Sequence, residues 1–223
     1  DPEHKIGTVG QFVYDLNCII DARKREFDII LQLGYTSSSV WFSLHPKKAI
    51  VITNMDGLEW KRTKYSKKVQ KALHIAEKIA VKKSDCLVAD SIGIQKYIKE
   101  KYQKDSTYIA YGAHNFNNPN PEILKEYQVE KYHFNMIMAR FEPENNLDMV
   151  LEGVMQSTDD KPILVIGNHN TKYGEYLKNK FATCKKIQFL GAIYNLNHLD
   201  NLRYFSNLYF HGHSVGGTNP SLL

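Results

Sequence analysis

The sequence predicts an α/β protein in which parallel sheets are covered by helices and the chain divides into two such domains. Three observations carry this expectation. Short apolar runs alternate with longer amphipathic stretches, strand then helix, along most of the 223 residues. The alternation breaks at 112–131, where Asn115, Asn117, Asn118, Pro119, Asn120 and Pro121 supply loop and turn chemistry. The composition, 43% hydrophobic and 24% charged, is that of a globular chain able to bury a core without staples.

In chain order, the apolar runs at 28–33, 49–53, 86–89 and 108–111 read as strands of the first domain. Segment 65–82 reads as a helix, because Val69, Ala72, Leu73, Ala76, Ile79 and Ala80 recur at helical spacing. Segment 93–102 is a second helix. The second domain has strands at 133–139, 163–166, 187–190 and 208–210, and helices at 147–156, 173–181 and 196–205. The expected organisation is a domain over 1–113, a linker over 114–131 and a domain over 132–223. At the C-terminus, 221–223 reads as a helix just begun after Pro220. No opening strand with a glycine-rich loop is seen at the other end. The chain is therefore expected to be a fragment of a longer protein, with both domains truncated.

The net charge of +5 is concentrated. Segment 61–83 holds nine basic residues against one acid, Glu77, a net +8, so the rest of the chain sums to −3. As a helix it carries a basic outer face. That face is either a solvated lysine surface or a contact for an anionic membrane or an anionic substrate. Nucleic acid is not expected as a partner, since no aromatics interleave with the lysines and no binding motif appears. No apolar run approaches the ~20 residues of a membrane span, and the first residues are not a secretory signal. Cys18, Cys86 and Cys184 lie too far apart for a disulfide framework or zinc spacing and read as buried free thiols of a reducing cytoplasm.

The polar clusters fall where strands end. His211, His213, Gly216, Gly217, Thr218, Asn219 and Ser221 follow the last strand and open a helix, a setting in which backbone N–H groups approach a phosphate. The same stretch also reads as a plain glycine-rich turn. His211 and His213 could share a metal, but no third ligand is evident, so no metal site is assigned. After the strand at 133–139, Arg140 suits a forked pairing with phosphate, or a salt bridge to Glu142 or Glu144. Asn145 and Asn146 there are donors or helix caps. Gly167 and Asn168, then Ile193 and Tyr194, close two more strands, so four loops at one sheet edge form a crevice fit for a nucleotide. In the first domain, Asp56, Gly57, Glu59 and Trp60 follow a strand; carboxylates and an indole there suit a polyol, or form an Asp-Gly turn before a cap. Neither GxGxxG nor GxxxxGK[ST] occurs.

Together, segments 31–39, 54–64, 110–113, 140–146 and 212–223 resemble the rhamnosyltransferase-like bacterial glycosyltransferases of the GT-B fold, of the family 4 type. The resemblance spans nearly the whole chain. It implies two Rossmann-like domains facing a cleft, the C-terminal one binding a nucleotide-sugar and the N-terminal one the acceptor, with no metal or other cofactor. Arg140 matches the family arginine that holds the diphosphate. Asn145 stands where the wider family has lysine, and Gly216 where it has glutamate. Asp56 falls where the family places a residue near the transferred sugar.

The resemblance thus implies transfer of a sugar, rhamnose or a related deoxyhexose, from a nucleoside-diphosphate donor to a cell-surface polysaccharide or lipid-linked acceptor. Asp56 and Arg140 would be catalytic. Arg140, Asn145, Asn146, Gly167, Asn168, Ile193, Tyr194, His213 and the 216–221 turn would bind donor, and Asp56, Gly57, Glu59 and Trp60 the acceptor. The protein would be cytoplasmic, peripheral at the inner face of the plasma membrane. A non-catalytic binding module and a sugar-nucleotide epimerase remain as alternatives.

Overall fold

Strand and helix alternate in two sheets, both wholly parallel. The computed structural model describes residues 8–62, 65–214 and 219. The chain divides after Gly112 into a first unit and a second one spanning Ala113–Ser214.

The first unit contains α1 (Thr8–Lys24), β1 (Ile29–Gln32), β2 (Ile50–Asn54), α2 (Lys67–Lys83), β3 (Cys86–Ala89), α3 (Ile92–Tyr102) and β4 (Thr107–Tyr108). Short 3-10 helices, Ser38–Leu44 and Glu59–Lys61, follow β1 and β2. The strands lie in the order β1-β2-β3-β4. Ile29 pairs with Ile50, and Ile52 with Cys86, so these side chains share one face. The other face carries the buried Val51, and Leu87 and Ala89, which pack on Ala76, Ala80 and Val81 of α2 and on Ile94 and Ile98 of α3. Both helices start at serine caps: Ser66 Oγ accepts from the Val69 N–H and Ser91 Oγ from that of Ile94. The first-named face is open among the described residues: Ile29 and Leu31 are each 57% exposed.

The second unit contains β5 (Asn135–Met138), α4 (Leu147–Gln156), β6 (Ile163–Ile166), α5 (Lys172–Lys180), β7 (Ile187–Gly191), α6 (Leu196–Phe205) and β8 (Leu208–Phe210). Its strand order is β7-β6-β5-β8. The chain runs outward from β5 to β7, then returns to lay β8 on the free side of β5. Both faces of this sheet are covered, as a parallel sheet requires. Ile137, Ile163 and Val165 pack with Leu147 and Leu151 of α4 and Leu177 of α5. Met136, Leu164 and Ile166 pack with Leu199 and Leu202 of α6. Each such fully buried aliphatic contributes about 1.5–3 kcal/mol.

Several expectations need correction. Helix α1 was not expected, although Val9, Phe12, Val13, Leu16, Ile19 and Ile20 carry its periodicity. β4 is two residues long rather than 108–111, because only β3 lies beside it. Within 114–131, Pro121–Tyr127 is a 3-10 helix with Ile123 and Leu124 buried, packed on α6 rather than free loop. The cysteines are free but not buried: Cys18 and Cys86 are exposed and Cys184 half-buried.

Candidate functional site

In an open parallel sheet, ligands sit beyond the carboxyl ends of strands where the strand order reverses. In the second unit that point lies between β5 and β8. The loops leaving these two strands are tied to each other. The Asn146 side-chain amide donates to the Gly212 carbonyl at 2.6 Å, and Ser214 donates to the Glu144 carbonyl through its N–H (3.0 Å) and its hydroxyl (2.9 Å). A side chain at Gly212 would place its Cβ 2.5 Å from the Asn145 carbonyl oxygen, so only glycine allows this approach.

Arg140 is the first residue beyond Ala139 on the β5 loop and is exposed. Among the described residues its guanidinium forms no ion pair, with Glu142 or Glu144 or any other acid. A planar cation with five donors, held at the order reversal, is suited to a diphosphate. Asn145 does not join it as a second donor: it is buried, at 3% exposure, and its amide donates to the Arg140 carbonyl at 2.6 Å. Asn145 therefore sets the loop that presents Arg140. Asn146 occupies the cap position of α4 in the left-handed region (φ 50°), yet its side chain caps nothing and goes to Gly212 instead.

The β6 and β7 loops complete the edge. The Gly167 N–H donates to the Gly191 carbonyl at 2.9 Å. A Cβ at Gly167 (φ +152°) would lie 2.1 Å from the Ala139 carbonyl oxygen, so β5 and β6 end in direct backbone contact. Asn168 turns back on its own loop, accepting from the Asn170 N–H at 3.0 Å. Ile193 packs on the core, while Tyr194 is 88% exposed beside it. His169, in the same loop, stands edge-on to Phe141 and Phe189 with its Nδ1 buried and, among the described residues, without a hydrogen-bond partner. Burial, then the charge of Lys178, lowers its pKa. His213 stacks on His211 at 4.3 Å, and burial lowers the His211 pKa. Gly216, Gly217, Thr218 and Ser221 lie outside the described residues. Asn219 is half-buried. Among the described residues, no group of three or more His, Cys, Asp or Glu side chains is set to hold a metal ion.

In the first unit, Asp56 is exposed just beyond β2. Burial raises the pKa of Tyr111, and the charges of Asp56 and then Asp90 add to that, so both carboxylates act on this hydroxyl. Tyr111 and the buried Asp90, just beyond β4 and β3, join Asp56 as candidate residues of this sheet edge. Gly57 is buried, and its carbonyl accepts from the Tyr35 hydroxyl at 3.2 Å.

Glu59 and Trp60 do not present themselves to a polyol. Glu59 pairs with Arg62 at 2.7 Å. The Trp60 ring stacks on His74 (4.8 Å) beneath the Lys101 ammonium (5.0 Å), and its N–H donates to Glu77 at 2.9 Å. Glu77, fully buried, also accepts from Tyr97, Tyr102 and Lys101. Trp60 thus anchors the Asp56 loop to α2, and of the expected acceptor residues Asp56 is the one whose carboxylate is open.

Residues 31–114 match a family model described as a domain of unknown function, DUF1972. No curated protein matches the chain in sequence. Solved structures similar to it include HepE from Anabaena in complex with UDP and glucose (TM-score 0.70, 14% identity, 92% of this chain and 57% of that one). Another is sucrose-phosphate synthase from Thermosynechococcus elongatus (TM-score 0.67, 14% identity, 88% and 53%). A third is UDP-N-acetylglucosamine 2-epimerase from Rickettsia bellii (TM-score 0.59, 17% identity, 91% and 56%). The chain spans a little over half the length of these proteins. Two parallel four-stranded α/β units of this kind are those of the GT-B fold.

Proposed function

We propose that this chain is part of a glycosyltransferase that moves a sugar from a nucleoside-diphosphate donor to an acceptor hydroxyl. The observation that carries the reading is Arg140: an exposed cation that forms no ion pair among the described residues, held at the strand-order reversal by a buried asparagine. HepE, of similar fold, was solved with UDP-glucose, which supports a nucleotide-sugar as donor. The finer reading is rhamnose or a related deoxyhexose as the sugar, and a cell-surface polysaccharide or lipid-linked glycan as acceptor.

In the reaction, the bond from the anomeric carbon to the diphosphate oxygen breaks. The acceptor oxygen bonds to that carbon and gives up its proton. The leaving diphosphate gains negative charge, which Arg140 offsets. That charge balance calls for no cofactor. Asp56 orients the acceptor or takes its proton. Asn145 and Asn146 shape the donor loop, and Gly167, Asn168, Ile193, Tyr194 and His213 line its edge.

Thermal shift of the full chain against dTDP-rhamnose, UDP-sugars, GDP-sugars and free nucleotides tests this. A ligand at 100 times its Kd adds about 2.7 kcal/mol of stability. A shift confined to one nucleotide class supports the reading and names the donor; no shift with any of them overturns it. The likeness to an epimerase fold supports a second reading. Conversion of a nucleotide-sugar with no acceptor present would favour it.

A further inference from the structure

Helix α2 is the most basic element of the chain, and its single acid is hidden. Glu77 is 0% exposed and is fixed from four sides by Trp60, Tyr97, Tyr102 and Lys101. On the opposite side of the helix lie Lys68, Lys71, Ile75, Lys78 and Lys82, spaced three and four residues apart. At 3.6 residues per turn they fall within an arc of about 80° and run for about 21 Å. All four lysines are exposed. Among the described residues none of them is in an ion pair. Ile75, at the middle of the stripe, is 60% exposed.

We infer that this face of α2 docks the protein on an anionic lipid bilayer. The inference is independent of sugar transfer. Two features select lipid. Among the described residues no acid pairs with these cations, so the face is positive toward phosphate and carboxylate headgroups. Its centre is aliphatic, and lysines flanking an aliphatic centre lay their stems along it while their ammonium groups reach outward. Nucleic acid would call for aromatic side chains on which bases stack, and the stripe has none. No helix among the described residues is long and apolar enough to cross a membrane. The proposed contact is with a bilayer surface.

The test is co-sedimentation of the full chain with phosphatidylcholine vesicles, with and without phosphatidylserine. Binding is expected only to the anionic vesicles. It should weaken when salt rises from about 0.1 M to about 1 M, which shortens the Debye length from about 10 Å to about 3 Å. Each lysine is worth roughly fivefold, so Lys71→Glu with Lys78→Glu should lower affinity at least about 25-fold. Lys172→Glu with Lys185→Glu changes net charge equally on exposed sites of the second unit and should change it little. Ile75→Ser should weaken binding with every lysine in place. Equal binding to neutral vesicles, or equal loss in both charge-reversed pairs, would overturn the inference. Single-stranded RNA held more tightly than vesicles, and unaffected by Ile75→Ser, would replace lipid with nucleic acid.

Discussion

Asn146 and Gly212, 66 residues apart in sequence, are joined by a 2.6 Å hydrogen bond from side-chain amide to main-chain carbonyl. This bond ties the loop after β5 to the loop after β8 at the point where the strand order reverses. Asn146 also tolerates the left-handed backbone (φ 50°) that turns the chain into α4. Asn146→Ala loses the bond and strains the turn, at a cost of about 2 kcal/mol. Asn146→Gly loses only the bond and should cost about 1 kcal/mol. Urea unfolding of both variants measures the difference; equal costs would show that the backbone contributes nothing.

Glu77 is the common acceptor of four donors inside the first unit. Glu77→Ala leaves the Lys101 ammonium without its carboxylate and three half-buried donors without an acceptor. A fully buried pair costs about 3–5 kcal/mol to break; because the Lys101 side chain is 29% exposed, the loss should be lower, about 2–3 kcal/mol. The urea midpoint followed by Trp60 fluorescence is the readout, and a loss below about 1 kcal/mol would mean that solvent replaces the carboxylate freely.

Arg140→Ala removes the cation proposed to offset the leaving diphosphate. Loss of one such donor costs roughly 3–4 kcal/mol of barrier, so turnover with the donor found by thermal shift should fall at least about 100-fold. Stability should change little, since the side chain is exposed and in no ion pair among the described residues. A fall under about threefold would remove Arg140 from the mechanism.

Acid should destabilise the protein through three histidines. Burial lowers the pKa of His45, of His169 (with Lys178 adding) and of His211. The unfolded chain takes up these protons near pH 6.5, while the folded chain resists until lower pH. The unfolded state therefore binds more protons just below pH 6.5, and stability is lost as pH falls through that window. The Tm should drop between about pH 7 and pH 5. His45→Gln with His169→Gln should flatten the drop, and an unchanged slope would place the acid sensitivity elsewhere.

Much of the fold was legible because its signals are local. Runs such as 163–166 and the spacing of Leu147, Leu151 and Val154 report strand and helix without reference to any other segment. Helix α1 carries the same kind of local signal in Val9, Phe12, Val13, Leu16 and Ile19. In the site, Arg140 could be picked out because it follows a strand. The part played by Asn145 could not, because whether an amide meets a ligand or a carbonyl depends on how its loop closes.

By itself, then, the sequence determined the α/β class, the strand–helix order and the concentration of positive charge in 61–83, all properties of neighbouring residues. Only the tertiary structure decided the strand order β7-β6-β5-β8, and with it which loops meet. It also decided that Glu59, Trp60 and Asn145 are spent on internal partners while Arg140 and Asp56 stay open. The reason is physical: burying a polar group requires a partner, and those partners come from residues distant in sequence.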